Sequence, residues 1–194
     1  MSKRSLKTEV DKSKKKLKHW SMGLLEAMKD PEAIVKETSL LVIIKDKYPK
    51  SKLHYLVLPR DININNIFQL NGSHISLIEN FGLLFEEVKN ENKNLQLRAG
   101  FHAVPSMQRL HMHIISKDMI SPCLKTKLHW NSFNTEFFIS HEAILKDLKE
   151  KGSVNKIPKE VHKSLMNTPL KCNQCNYEPK KMPQLKQHLL SHEQ

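Results

Sequence analysis

Arg109-Leu110-His111-Met112-His113-Ile114-Ile115-Ser116 alternates polar and apolar residues, and its reading decides the fold. Side chains of a strand point alternately to opposite faces. The alternation therefore predicts a strand with Arg109, His111 and His113 on one face and Leu110, Met112 and Ile114 on the other. Two imidazoles beside a guanidinium, held on a rigid strand over an apolar core, suit the handling of phosphate. Taken alone, the pattern fits equally an ordinary polar face on a strand, since short motifs have many chance matches.

Outward from this run the chain reads as strands and helices. Leu40–Ile44 and Leu53–Pro59 are apolar runs separated by the turn Asp46-Lys47-Tyr48-Pro49-Lys50, which predicts a hairpin. Ser73–Asn90 carries Ile78, Phe81, Phe85 and Val88 near helical spacing. Leu95–Val104 and Arg109–Ser116 form a second strand pair, broken by Pro105. Two hairpins split by one helix predict an α+β domain with a mainly antiparallel sheet and flanking helices. Ser140–Glu150 reads as a further helix. His19–Lys29 reads as a short one, with Ser21 as cap and Leu24, Leu25 and Met28 as its apolar stripe. The expected organisation is a basic arm (1–18), a main domain (19–150), a linker (151–169) and a small terminal unit (170–194).

Charge is concentrated at the two ends. Of the net +12, Met1–His19 contributes eight Lys/Arg against two Asp/Glu, and Lys151–Gln194 eight lysines against three glutamates. That distribution suits a polyanion lying across the molecule, although lysine-rich termini also aid solubility. Lys12–Lys18 is similar to a nuclear localisation signal, so a nuclear location is expected. No apolar run approaches the ~18 residues of a membrane span, and the basic N-terminus lacks the apolar segment of a secretory signal. Three cysteines at two unrelated places point to a reducing compartment rather than a disulfide framework.

Cys172-x2-Cys175-x12-His188-x3-His192 has the ligand types and spacing of a tetrahedral structural zinc site. Leu170 and Leu185 fall where such a finger needs its apolar core, and 184–192 is expected to be the helix carrying both histidines. Pro179 stands where these fingers usually carry a large aromatic, a volume that Tyr177 is placed to fill. A unit of this size would hardly fold without its metal.

The central run resembles the histidine-triad motif, His-φ-His-φ-His-φ-φ, of nucleotide hydrolases and transferases. The blocks Asp46–Lys50, His54–Pro59, His102–Met107, Ser121–Lys125 and His129–Glu136, with the terminal finger, resemble more narrowly the DNA-repair branch of that family. The resemblance spans about Leu17 to the C-terminus. It implies a histidine-triad domain whose activity is removal of AMP from 5′-adenylated DNA ends, the products of abortive ligation, through a covalent adenylyl-histidine. It implies His111 as nucleophile, with His113 and His102 assisting at the phosphate. It also implies AMP or DNA contacts from Asp46, Lys47, Tyr48, Pro49, Lys50, Ser106, Met107, Arg109 and Lys127, and a wedge made by the helix from Trp20 to Lys29. One structural zinc, no metal at the reaction centre, and a monomer acting on nicked or broken DNA complete the expectation. The forkhead-associated domain that precedes this unit in vertebrate relatives is expected to be lacking.

The residues considered by themselves leave simpler roles open. Asp46 is also a good turn-former, the lysines of that turn also suit a solvated surface, and the N-terminal helix also suits packing on the core. Two departures from the family pattern stand out. Position 109 is Arg where triad proteins have His, so phosphate grip replaces proton shuttling in the expected role. Leu128 stands where relatives continue a lysine run. A general nucleoside phosphoramidase or adenylate hydrolase for small substrates, and a non-enzymatic DNA-binding protein, are the alternatives.

Overall fold

The computed structural model describes residues 23–60, 63–107 and 109–193. The basic arm, Trp20 and Ser21 lie outside them. A short helix, α1, runs over 23–27. Six strands follow: β1 (Ile34–Glu37), β2 (Leu41–Lys45), β3 (His54–Pro59), β4 (Leu97–His102), β5 (Met112–Ser116) and β6 (Phe138–Ser140). They form one sheet in the order β1-β2-β3-β5-β4-β6, antiparallel at every pairing. The helices are α2 (Ile75–Glu91), α3 (Lys127–Asn134), α4 (His141–Lys151), α5 (Lys159–Asn167) and α6 (Met182–Leu189). The architecture is α+β, with a zinc-finger-like unit at the C-terminus. Among the described residues no helix is long and apolar enough to cross a membrane.

Period-two alternation divides the sheet's residues between two faces. Leu41, Ile43, Val57, Ala99, Phe101, Met112 and Ile114 face the main core with α2 and α4. Helix α2 supplies Ile78, Phe81, Leu84, Phe85 and Val88, all buried, and each such side chain stabilises by about 1.5–3 kcal/mol when fully withdrawn from water. Local signals set the helix ends. Asn71 and His74 form a capping box ahead of α2, Ser140 caps α4 by accepting from the Ala143 N–H, and Gly152 closes α4 with φ of 69°.

The opposite face carries two smaller clusters. Leu24, Val42, Ile44, Leu56 and Leu58 lie at the α1 end. Ile115, Met119, Leu124, Trp130 and Phe133 lie at the other end and share their cluster with Leu170, Cys172, Leu185 and Leu189 of the finger. The finger, read from sequence as a separate unit, is thus joined to the main domain by a common core. Gly100 permits the close approach of β6, because a Cβ there would stand 2.5 Å from the Ile139 carbonyl and 2.8 Å from the Phe138 ring.

Two sequence readings are corrected. The stretch 151–169, read as a linker, contains α5. None of its residues is fully buried, and its apolar side, Val161, Leu165 and Met166, is only two turns long. The strand read over Arg109–Ser116 begins only at Met112. Arg109 has φ of 100°, in the left-handed region that L-residues seldom adopt, and this kink ends the alternation.

Candidate active site

Between the two small clusters a cleft of about 1950 Å³ opens onto the sheet. His54, His102, His111 and His113 all line it. Strand register explains the convergence. His113 is paired with Leu56 on one side and Gly100 on the other. His54 and His102 are therefore its diagonal neighbours on the same face, within reach of long or ring side chains. The ring centroids of His113 lie 5.2 Å from His54, 4.3 Å from His102 and 5.0 Å from His111. Phe133 packs on three of the four, at 5.3 Å from His54, 4.6 Å from His102 and 5.2 Å from His113.

Hydrogen bonds assign the tautomers. The Nδ1 of His111 lies 2.8 Å from the Arg109 carbonyl. A carbonyl only accepts, so Nδ1 carries the hydrogen and Nε2 keeps its lone pair. The Lys50 N–H donates to His54 Nδ1 at 3.1 Å, which leaves the hydrogen of neutral His54 on Nε2. That N–H donates to His113 Nδ1 at 2.9 Å. His113 consequently carries its hydrogen on Nε2, which is buried and has no hydrogen-bond partner among the described residues. His102 Nε2 is in the same condition. Unpaired buried polar atoms are costly, and both of these belong to residues that line the cleft.

Burial keeps these rings neutral. It lowers His54 from 6.5 to about 4, His102 and His113 well below 6.5, and His111 below 6.5. Charge repulsion from Lys50 adds to the effect at His54, His102 and His113. The 3.5 Å approach of His54 Nε2 to Asp46 Oδ2 is then a contact of a neutral ring, not an ion pair.

The other expected site residues divide into two groups. Asp46, Lys47, Tyr48, Lys50, Ser106 and Met107 line the cleft, as do Lys125 and His129. Asp46 also serves its turn, accepting the Tyr48 N–H on Oδ1 at 2.7 Å. Arg109, Lys127 and Pro49 are placed elsewhere. The Arg109 guanidinium donates to the carbonyls of Pro59 (2.7 Å) and Arg60, because the kink at its own backbone turns it away from the histidine face. The Lys127 ammonium donates to the Asn167 carbonyl at 2.7 Å, where it neutralises the C-terminal end of α5. The Pro49 carbonyl accepts from the Ser121 hydroxyl at 2.5 Å.

Sequence reading passed over His54, Phe133, Phe137 and the α5 residues His162 and Lys163, all of which line the cleft. His54 read as one residue of the strand Leu53–Pro59. Only the pairing of β3 with β5 gives it a role.

The residues of the C-terminal unit fit a metal. The ligand atoms of Cys172, Cys175, His188 and His192 lie within 4.8 Å of one another. Cys172 Sγ to His192 Nε2 is 3.4 Å, Cys175 Sγ to His188 Nε2 is 3.1 Å, and the two Nε2 atoms are 3.1 Å apart. Those separations approach the edges of a tetrahedron built with bonds of ~2.0–2.3 Å, as zinc requires. His188 lies in α6, whereas His192 lies in the 3-10 turn that follows, Leu190–Glu193, rather than on one continuous helix. Tyr177 packs on the His188 ring at 4.2 Å. Asp46, His54 and His113 are also mutually close, but the hydrogen on His54 Nε2 opposes metal there.

A six-stranded antiparallel sheet with histidines converging on its open face, fused to a zinc-finger unit, defines a histidine-triad protein of two-part design. Residues 19–129 match the family described as scavenger mRNA decapping enzyme C-terminal binding, and 134–194 match the C2HE / C2H2 / C2HC zinc-binding finger. The aprataxin-like protein of Drosophila melanogaster is 45% identical over 89% of this chain and 26% of its own length. That of Saccharomyces cerevisiae is 32% identical over 71% of this chain and 80% of its own length. The solved structure of the aprataxin ortholog Hnt3 in complex with DNA superimposes with a TM-score of 0.70 at 26% identity, covering 91% of this chain and 94% of that one. The chain belongs to the aprataxin family. It spans only 26% to 57% of the length of the fly and chicken relatives.

Proposed function

We propose that the protein is a DNA-repair hydrolase that releases AMP from 5′-adenylated DNA ends. The observation that carries this reading is the fixed tautomer of His111. Its Nδ1 hydrogen is held by the Arg109 carbonyl, so Nε2 presents a lone pair on a neutral ring lining the cleft. A neutral imidazole is an effective nucleophile, and a covalent intermediate divides one displacement into two easier ones.

In the first step His111 Nε2 attacks the α-phosphorus of the adenylate. The phosphorus–oxygen bond to the DNA 5′-phosphate breaks, and the DNA leaves with that oxygen and its electron pair. His113 Nε2–H and the His102 ring lie beside the phosphoryl group, where fixed donors stabilise the charge that develops in the transition state. Water then attacks the phosphorus, giving up one proton to solvent, the phosphorus–nitrogen bond breaks with its electron pair returning to Nε2, and AMP departs as neutral His111 is regenerated. Asp46 is suited to accept from the ribose hydroxyls through Oδ2, since Oδ1 is engaged by the turn. Lys50, Lys125, Ser106 and Met107 line the region where a DNA end would approach.

The size of the cleft supports a substrate larger than a mononucleotide. Its volume of about 1950 Å³ exceeds the ~300–1,000 Å³ of small-molecule sites. Relatives of the same design have been solved with DNA and with DNA and guanosine. Zinc held by Cys172, Cys175, His188 and His192 would serve folding and not the reaction. Action as a monomer in the nucleus accords with this reading. The test is AMP release from a nicked duplex carrying a 5′-adenylate. The wild-type protein should turn it over and His111→Ala should not, while duplex affinity stays within about twofold. Full turnover by His111→Ala would overturn the mechanism.

A further inference from the structure

The walls of the cleft differ in charge. At the end beside α1, over β2 and β3, the carboxylates Glu26, Asp30, Glu32 and Asp46 stand among Lys45, Lys47 and Lys50, so the two signs offset each other. Lys125 from the segment before α3, and His162 and Lys163 from α5, line the opposite end, over β4 and β6. The α5 end presents cationic side chains with no carboxylate among the lining residues, so a polyanion entering the cleft is attracted there.

Helix α5 is held in a way that leaves its cationic side chains to a ligand. None of its residues is fully buried, and Val161 is 42% exposed. Its C-terminal carbonyls are fixed by polar bonds from α3: Lys127 donates to the Asn167 carbonyl at 2.7 Å, and Asn131 to those of Met166 and Thr168, each at 2.9 Å. The His162 ring stacks on Phe137, with centroids 5.1 Å apart and planes at 25°. Phe137 in turn lies 5.4 Å from His102. One face of His162 is thus covered while its edge remains on the cleft. Lys163 is exposed and has no ion-pair partner among the described residues.

From this geometry we infer that α5 is the backbone track for the DNA strand bearing the reacting 5′ end, with His162 and Lys163 holding its phosphates. Two ring contacts separate His162 from His102. At ~3.4 Å of rise per nucleotide, that distance places the track one to three nucleotides beyond the phosphate under attack. The inference rests on the DNA-adenylate reading and adds to it a second anchoring point, one that a small adenylate never reaches.

The experiment is equilibrium binding of the zinc-loaded full chain to a nicked duplex with an ordinary 5′-phosphate, over a range of salt, for wild type, His162→Gln and Lys163→Glu. Lys163→Glu should weaken binding about tenfold and reduce the slope of log affinity against log salt by about one. His162→Gln should weaken binding less. Unchanged affinity and slope in Lys163→Glu would overturn the track. So would an equal loss in turnover of adenosine 5′-phosphoramidate, because α5 would then be shaping the nucleotide pocket. If the wild type binds the duplex but releases no AMP from an adenylated nick, the parent reading fails while the binding result still decides the track.

Discussion

His54 Nε2 lies 2.9 Å from His113 Nδ1, and this contact sets which nitrogen of His113 carries its hydrogen. The series begins at the Lys50 backbone N–H, passes through His54 and ends at the unpaired Nε2–H of His113. His54 is therefore a positioning residue. Without it His113 can reverse its tautomer and present a lone pair where a donor is needed.

His54→Ala should lower single-turnover AMP release by about 10²-fold, within the range that a positioned proton donor contributes, with little change in KM. His54→Gln, whose amide N–H can restore the donor to His113 Nδ1, should recover part of that loss. Equal and full activity in both variants would show that His113 keeps its tautomer unaided.

Arg109 offers a contrast between reading and placement. Its guanidinium holds the carbonyls of Pro59 and Arg60 at the end of β3. Arg109→Ala should destabilise the fold by about 1–3 kcal/mol, the range for carbonyls left without a donor, seen as a lower urea midpoint. KM for a small AMP ester should stay within about twofold. A large rise in that KM with unchanged stability would return Arg109 to the phosphate.

The histidine cluster makes stability depend on pH. An unfolded chain protonates its histidines near 6.5, whereas burial holds folded His54 at about 4 and lowers His102, His111 and His113. Between those values the unfolded state binds more protons, so unfolding free energy rises with pH. The stabilisation is complete above about pH 6.5 and is lost as pH falls toward about 4. The urea midpoint should be lower at pH 5 than at pH 7.5, and His102→Gln should reduce the difference. An unchanged difference in that variant would mean that His102 does not contribute.

The finger's core is continuous with Ile115, Trp130 and Phe133, and Phe133 packs on the site histidines. Removing zinc with a chelator, or replacing Cys175 with Ser, should lower Tm by more than about 5 °C, since each kcal/mol moves a chain of this size by roughly 2–4 °C. The near-ultraviolet circular dichroism of buried Trp130 should change with it. A metal-free protein with unchanged Tm and an unchanged Trp130 signal would show that the finger folds apart from the site.

What could be read from the sequence followed locality. The alternation from Arg109 to Ser116 identified β5 and put His111 and His113 on one face, because strand period is written in consecutive residues. The Cys172–His192 spacing was legible for the same reason. The strand start at Arg109 was misread because a positive φ on an arginine leaves no mark in the pattern. The docking of α5 through Lys127 was not legible because it depends on hydrogen bonds between segments 40 residues apart, as between Lys127 and Asn167. His54 becomes meaningful only when β3 pairs with β5, and the short edge strands β1 and β6 carry too few residues to show a period.

The central claim is that His111 Nε2 is the nucleophile, and a covalent adduct tests it most directly. The protein should be mixed with 5′-adenylated nicked DNA, quenched within a turnover, digested and analysed by mass spectrometry. The account predicts one AMP on the peptide containing His111, absent in His111→Ala and present in His54→Ala at a slower rate of formation. AMP released at full rate with no adduct at any time, or an adduct on His102 or His113 instead, would contradict it.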